Sequence, residues 1–158
     1  MSAGRTIDVA VKLKDYLERA KVWHRFFELP EHTMTVDAAS RQLGVPPDKI
    51  IKTLLLLSEA GEPVIAIVCG DRKVDLSKVA VMCGSRVRMA KAREVERFTG
   101  YPVGAVPPVG HGLRTFVDKC VASHERVIGG GGTTHTLIEM RVEDVVKLTN
   151  AVLCDISE

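Results

Sequence analysis

Lys52 stands in a run, Ile50–Leu57, that is otherwise apolar apart from Thr53. If this run is a β-strand, alternation places Lys52 on the same face as Leu54 and Leu56. A lysine there must reach water or a ligand, because an unpaired charge is costly to bury. Two interpretations are open. The lysine either protects a strand edge from pairing with another chain, or it is a cation at the mouth of an apolar pocket, directed at a carbonyl or phosphate oxygen.

A loop rich in glycine and proline is the second candidate for chemistry. The segment Thr99–His111 holds three glycines and three prolines in thirteen residues. Proline fixes φ and removes a donor, whereas glycine permits positive φ and close approach of the main chain to a ligand. This composition suits a pocket wall made of main-chain groups. An ordinary tight connection has the same composition, since turns accumulate both residue types.

His135 follows a third unusual segment, the glycine run Gly129–Gly132 and its two threonines. The run lacks the Lys-Ser/Thr pair and the following helix of a phosphate-binding P-loop. It is either a surface loop with an incidental histidine or a loop that approaches a substrate and presents the imidazole.

Four basic residues fall within eight positions: Arg86, Arg88, Lys91 and Arg93. Such clusters are commonly solvated faces of a protein. The alternative is a surface that contacts phosphates and positions a nucleic acid without reading its sequence.

The composition is that of one globular domain covering residues 1–158. Hydrophobic residues make up 46% of the chain and the net charge is +2, which neither demands nor excludes a polyanionic partner. The four cysteines form no close pair, so we predict no metal site and no cofactor. We find no signal peptide and no apolar run of membrane-spanning length, and therefore expect a cytoplasmic protein without a membrane partner.

Periodicity predicts alternating helices and strands that position these residues. Helices are expected over 6–20, 36–43, 76–82, 92–98 and 143–148, with Thr35 as an N-cap and Gly44 after the second helix. Strands are expected over 50–58, 64–69, 87–89, 113–117, 126–128, 135–140 and 151–156, with a strand or bend over 22–29. The predicted fold is a single α/β (α+β) domain, in which helices flank a mixed, curved, barrel-like sheet.

The order of several motifs resembles the YbaK / prolyl-tRNA-synthetase-associated domain family over about residues 20–156. The motifs are, in order, Thr35-x-x-x-Ala39, Leu43-Gly44-Val45, Ile50-x-Lys52-Thr53-Leu54, Gly104-Ala105-Val106-Pro107-Pro108-x-Gly110, Asp118, Gly129-Gly130, Asp144 and Asp155-Ile156. No one of them is decisive, but the lysine strand, the glycine–proline loop and the glycine turn in this order are together quite specific.

The resemblance implies a trans-editing aminoacyl-tRNA deacylase, which hydrolyses the ester between a wrong amino acid and the 3′-terminal adenosine of a tRNA. It assigns catalytic roles to Lys52 and Gly104. It assigns substrate binding to the motif residues Thr53, Ala105, Val106, Pro107, Pro108, Gly110 and Gly130. It also assigns substrate binding to His135, which lies in the region where some alanine-specific members have a histidine. The implied partners are the 3′ aminoacyl end of tRNA and, as a candidate, prolyl-tRNA synthetase.

The residues themselves add a constraint on the chemistry. Ester hydrolysis needs a stabilised oxyanion, which aligned main-chain N–H groups can supply. No Ser-His-Asp or Cys-His arrangement offers a protein nucleophile, so the attacking group is either a water or a thiol of the substrate. The sequence does not identify the amino acid, for which Cys-, Ala- and Pro-related tRNAs are candidates. Two alternatives stay open: a binding module for tRNA ends or nucleotides that lacks turnover, and a subunit that acts only with a synthetase.

Overall fold

The computed structural model describes residues 12–158, which form five helices, eight strands and two short 3-10 helices. The helices are α1 (12–20), α2 (Val36–Leu43), α3 (Leu76–Cys83), α4 (Ala92–Thr99) and α5 (Val142–Thr149). The strands are β1 (His24–Glu28), β2 (Ile51–Ser58), β3 (Pro63–Cys69), β4 (Val87–Met89), β5 (Arg114–Asp118), β6 (Arg126–Gly130), β7 (Thr136–Arg141) and β8 (Val152–Cys154). The predicted elements are thus confirmed, except that residues 6–11 of the first predicted helix lie outside the described residues.

The strands form two sheets. Three antiparallel strands lie in the order β1-β7-β6, and five strands lie in the order β4-β2-β3-β5-β8. In the larger sheet β2 pairs antiparallel with β3 and β4, whereas β3, β5 and β8 run parallel. A single bridge between Ile50 and Ile128 links the two sheets in the described part of the chain.

The mixed α+β fold was predicted correctly, but its barrel-like character was not. The sheets remain separate and are not closed into a barrel. Closure requires every strand to pair on both edges, and here β4 and β8 end the larger sheet.

Both faces of the larger sheet are buried, which explains the near-continuous apolar sequence of its central strands. On β2, Ile51 and Leu55 join a core cluster with residues of α1, α5, β6 and β7. The alternate residue Leu56 joins a second cluster with Val79 of α3 and Ile156. Alternation along one strand therefore supplies two cores.

Helix α2 begins and ends where its sequence dictates. The Thr35 hydroxyl accepts a hydrogen bond from the Ala38 amide at 3.1 Å, and Gly44 ends the helix at φ 68°. Just before this cap, the Thr33 amide donates a hydrogen bond to the Thr134 carbonyl at 2.8 Å, which ties the start of α2 to the segment before β7. Among the described residues no helix is long and apolar enough to cross a bilayer.

Candidate active site

A cavity of about 360 Å³ lies where the two sheets meet. Its walls come from the connection before α2, from β2, from the β4–α4 region, from the glycine–proline loop and from β6 and β7. The residues that line it are Thr33, Met34, Thr35, Val36, Ile50, Ile51, Lys52, Thr53, Leu54, Leu55, Met89, Ala90, Val95, Val103, Gly104, Val106, Gly129, Gly130 and Leu137. The cavity is mainly apolar, and no described acidic residue lines it.

All six residues from 50 to 55 line the cavity. They do so because the cavity runs along one edge of β2 rather than across one face of the strand. On that edge Ile50 bridges to Ile128 at one end, and β4 pairs only from Leu56 onwards at the other. The stretch between them has no strand partner on this edge within the described residues. The cavity thus occupies a short gap in the sheet.

The main-chain groups of Thr53 point into this gap. The Leu55 carbonyl accepts a hydrogen bond from the Ala90 amide at 3.0 Å, so the N–H and C=O groups of Leu55 point towards the edge that β4 occupies. Since alternate residues of a strand direct their N–H and C=O groups to opposite edges, those of Thr53 lie on the same side. They are a free donor and a free acceptor in the cavity wall.

The hydroxyl of Thr53 is a further unused polar group. Its Oγ1 atom is buried and has no hydrogen-bond partner among residues 12–158. A buried polar atom without a partner carries a desolvation cost. Thr53 therefore has an unsatisfied buried hydroxyl in addition to its two main-chain groups at the cavity wall.

Lys52 lies on the cavity wall with its ammonium anchored at one point. Its Nζ donates a hydrogen bond to the main-chain carbonyl of Arg72. Burial lowers the pKa of Lys52 below its ordinary 10.5, while the charges of Asp71, Cys120 and Cys69 act in the opposite direction. β4 pairs only with Leu56–Ser58, so Lys52 lies beside the unpaired part of this edge. Its hydrogen bond to Arg72 and its place in the cavity wall favour the pocket interpretation of this lysine.

The tip of the glycine–proline loop packs on the connection before α2. Gly104 has a φ of +84°, and a Cβ atom there would lie 2.7 Å from the Met34 carbonyl oxygen. A methyl group at Gly104 would therefore meet the main chain of Met34.

Two main-chain donors of this loop are free. The Ala105 amide donates to the Pro102 carbonyl at 3.0 Å, but the amides of Gly104 and Val106 have no acceptor within the described chain. Gly104 and Val106 both line the cavity, so their two unpaired amides are candidate donors to a ligand there.

The glycine run Gly129–Gly132 packs directly against the glycine–proline loop. A Cβ atom at Gly130 would lie 2.6 Å from the Val106 carbonyl oxygen, and the Gly132 amide donates to the Ala105 carbonyl at 2.9 Å. Only glycine permits such close approach of two main chains. The two loops singled out in the sequence are in direct contact.

Five of the ten predicted site residues line the cavity: Lys52, Thr53, Gly104, Val106 and Gly130. The other five do not. Ala105, Pro107 and Pro108 are buried behind the cavity wall, and Gly110 lies beside Leu13 and Tyr16. His135 is exposed and its ring contacts the Thr134 hydroxyl at 2.9 Å. Direct substrate contact from these five is therefore not supported by their positions, and the prolines serve as support for the loop.

Sequence reasoning missed the residues before α2. Thr33, Met34 and Thr35 line the cavity, but only the capping role of Thr35 had a recognisable signal. Met89, at the end of β4, was missed for the same reason. A single methionine in a connecting segment has no spacing that indicates a site.

The basic cluster lies next to the cavity, because Met89 and Ala90 line it. One of its members is neutralised: the Arg88 guanidinium donates two hydrogen bonds of 2.9 Å to the Glu94 carboxylate. The Arg88 side chain, together with the Lys91 amide, lowers the pKa of Glu94 to about 2. Arg86, Lys91 and Arg93 are exposed and have no ion-pair partner among the described residues.

No group of three or more described His, Cys, Asp or Glu side chains is arranged to hold a metal ion. The cysteines near Lys52 are Cys69 and Cys120, and the Cys120 Sγ accepts a hydrogen bond from the Cys69 amide at 3.4 Å. Burial raises the pKa of both thiols, which disfavours a reactive thiolate.

Residues 30–148 match the family described as the aminoacyl-tRNA editing domain. The chain belongs to this family, which includes the YbaK-like proteins.

Three relatives illustrate the range of the family. A protein of Enterococcus faecalis with the provisional name Cys-tRNA(Pro)/Cys-tRNA(Cys) deacylase EbsC is 27% identical over 146 residues, covering 89% of each chain. A proline–tRNA ligase of Nitratidesulfovibrio vulgaris is 44% identical over 87 residues, but this match spans 53% of our chain and 15% of the ligase. A crystal structure described provisionally as a trans-editing enzyme for prolyl-tRNA synthetase has a TM-score of 0.85 and 30% identity, covering 95% of our chain and 97% of that chain.

Proposed function

We propose that this protein is an aminoacyl-tRNA deacylase that hydrolyses the ester of a mischarged tRNA. The observation that carries the proposal is one apolar cavity that holds the ammonium of Lys52, the unpartnered hydroxyl of Thr53 and the free amides of Gly104 and Val106. Membership of the editing family supports hydrolysis as the reaction. We further propose that residues 1–158 act as one editing domain, and that they do so in the cytoplasm.

The proposed reaction consumes one water for each ester. The water oxygen attacks the ester carbonyl and forms a tetrahedral intermediate, whose oxyanion is bound by the amides of Gly104 and Val106. Collapse of this intermediate breaks the bond to the ribose oxygen, which takes up a proton. The products are the free amino acid and a tRNA with its terminal hydroxyl restored.

Lys52 and Thr53 position the substrate in this proposal. The Lys52 ammonium uses one donor on the Arg72 carbonyl and keeps the others for the ribose or terminal phosphate. Thr53 offers a carbonyl and a hydroxyl to the α-amino group, for which the cavity has no acidic partner. Since no described side chain in the cavity is a nucleophile with an adjacent base, the attacking group in this proposal is water.

The cavity favours a small, uncharged amino acid. An apolar wall separates side chains that differ by one methylene by only about 1–3 kcal/mol. We therefore propose discrimination among Cys-, Ala-, Ser- and Pro-tRNA by a modest factor, and leave the preferred tRNA to experiment.

The test is single-turnover deacylation of Cys-, Ala-, Ser- and Pro-tRNA by the wild type and by Lys52→Met, with Lys147→Met as a control on α5. We expect rapid loss of at least one aminoacyl group with the wild type and the control, and a large decrease with Lys52→Met. Binding of uncharged tRNA without any hydrolysis would instead support a binding module. Hydrolysis that appears only when prolyl-tRNA synthetase is added would support a subunit of a complex.

A further inference from the structure

Three large apolar side chains are exposed at the mouth of the cavity. Met34 is 40% exposed, Met89 44% and Val103 53%, and all three line the cavity. Only six large apolar side chains of the described chain are 40% or more exposed. Their concentration at one opening indicates a surface that a ligand covers.

These residues, here called the apolar rim, come from three separate segments. Met34 precedes α2, Met89 ends β4, and Val103 lies in the glycine–proline loop. Gly104 brings two of the segments together, because its main chain packs against Met34. The rim is therefore built by the tertiary fold rather than by one flexible loop.

The rim lies between two chemically different surfaces. On its inner side is the cavity with the Thr53 hydroxyl and the Lys52 ammonium. Along the chain, Met89 lies within three positions of the exposed cations Arg86 and Lys91, which have no ion-pair partner among the described residues. A ligand that contacts the cavity, the apolar rim and these basic residues in turn would carry a small polar group, then a flat apolar group, then a negative charge.

We infer that the apolar rim binds the nucleobase of the 3′-terminal nucleoside, while its phosphate contacts Arg86, Lys91 or Arg93. This inference rests on the proposed function and adds the residues that position its substrate. A purine presents a π-face, and the thioether of methionine makes favourable contacts with aromatic rings. The rim thus holds the base so that the ester enters the cavity.

The experiment measures binding of adenosine monophosphate and of ribose 5-phosphate by titration calorimetry or NMR. The two probes share the sugar and phosphate and differ in the base. Variants Met34→Ala and Met89→Ala test the rim. The matched control is Met82→Ala on α3, because Met82 is 36% exposed and does not line the cavity.

We expect adenosine monophosphate to bind the wild type more tightly than ribose 5-phosphate. Each rim variant should weaken its binding up to about tenfold, in line with the strength of a sulfur–aromatic contact, and Met82→Ala should leave it unchanged. Equal binding of both probes, no binding of adenosine monophosphate at millimolar concentration, or equal loss in all three variants would overturn the inference. Thermal unfolding of each variant shows whether it is folded.

A second measurement separates this inference from the proposed function. In Met34→Ala and Met89→Ala, hydrolysis of the aminoacyl-adenosine ester should decrease by a larger factor than hydrolysis of a base-free aminoacyl ester. Equal loss on both esters would place the rim in the amino-acid pocket and overturn the inference. If the wild type hydrolyses no ester but binds adenosine monophosphate in a way that depends on the rim, the proposed deacylase function is wrong and nucleobase binding by the apolar rim is supported.

Discussion

The ammonium of Lys52 is anchored by the main-chain carbonyl of Arg72, across the end of β3 from its own strand. The Arg72 amide in turn donates to the Cys69 carbonyl at 3.0 Å, which closes the turn after β3. The lysine that the sequence singled out is therefore held by a turn that has no motif of its own. Within residues 12–158 the ammonium has no second hydrogen-bond acceptor, which leaves its other donors for a ligand.

The first prediction concerns the charge of Lys52. Lys52→Met keeps the apolar stem and removes the ammonium, so we expect a folded protein whose single-turnover deacylation falls by about 10²-fold or more, as for loss of a polar contact at the reacting centre. Its thermal stability should stay equal to or above that of the wild type, because a charge that burial disfavours is gone. If the folded variant keeps the turnover of the wild type, Lys52 has a structural role and takes no part in deacylation.

The second prediction concerns pH. Burial lowers the pKa of Lys52 in the folded protein, so the ammonium is lost at a lower pH than in a free lysine. Deacylation, corrected for spontaneous ester hydrolysis, should decrease on the alkaline side before pH 10.5 is reached. Stability should change in the opposite sense. Between the folded and unfolded pKa values the unfolded chain binds more protons, so the free energy of unfolding rises with pH.

Denaturant unfolding of the wild type and Lys52→Met across this alkaline range measures the stability effect. The difference in the free energy of unfolding between the two proteins should decrease as the pH rises, because Lys52 of the wild type becomes neutral. A difference that is constant with pH would show that the Lys52 pKa is not lowered.

The third prediction concerns Gly104. Gly104→Ala combines a positive φ with a contact to the Met34 main chain, so we expect a loss of stability greater than the roughly 1 kcal/mol of a φ penalty alone. Activity should also decrease, because the adjacent amides move. Gly84→Ala is the matched control, since Gly84 has a φ of +75° and open space around a Cβ atom.

Calorimetric unfolding and single-turnover deacylation on the same preparations measure both effects. The excess destabilisation of Gly104→Ala over Gly84→Ala reports the contact with Met34. Equal melting temperatures of the two variants would show that this contact relaxes at no cost.

The fourth prediction concerns the basic cluster. Charge reversal at Arg86, Lys91 and Arg93 should weaken tRNA binding and make its salt dependence shallower, because each phosphate contact contributes a slope of about 0.7–0.9 in log K against log salt. Hydrolysis of an aminoacyl-adenosine ester should be unaffected. Arg88→Ala should have a smaller effect on tRNA binding, since Arg88 is already paired with Glu94. Equal losses on tRNA and on the small ester would assign the cluster to the fold.

The fifth prediction concerns Asp118, which is fully buried at the end of β5. Burial alone would raise its pKa, but hydrogen bonds from the Cys120 amide, the Ile156 amide and the Ser157 hydroxyl hold the pKa of Asp118 below its usual value. Asp118→Asn should destabilise the fold by about 1–3 kcal/mol, because a donor replaces one acceptor and leaves buried groups unpaired.

Since the folded pKa of Asp118 is lowered, its contribution to stability is present above pH 3.8 and is lost as the pH falls through the folded value. Acid unfolding of the wild type and Asp118→Asn measures this. Asp155→Asn serves as the control. Asp155 forms ion pairs with Lys78 and Lys119, and because these side chains are about half exposed or more, the pairs contribute little to stability. Identical acid unfolding of Asp118→Asn and the wild type would contradict the prediction.

The sequence by itself determined the elements and much of the site. Alternation identified β2 and the unusual position of Lys52, and the Thr35 cap and Gly44 bounded α2 because both act through local geometry. The glycine and proline composition identified both loops that meet behind the cavity, since positive φ and close main-chain approach demand those residue types.

Only the tertiary structure decided which of these residues share a cavity. The gap on the β2 edge exists because β4 pairs from Leu56 onwards and β6 bridges only to Ile50, and strand pairing is a long-range property that no local pattern encodes. Met34 and Met89 reach the same opening from distant segments for that reason. The position of His135 outside the cavity and the neutralisation of Arg88 by Glu94 likewise depend on side-chain packing in three dimensions, which spacing along the chain does not specify.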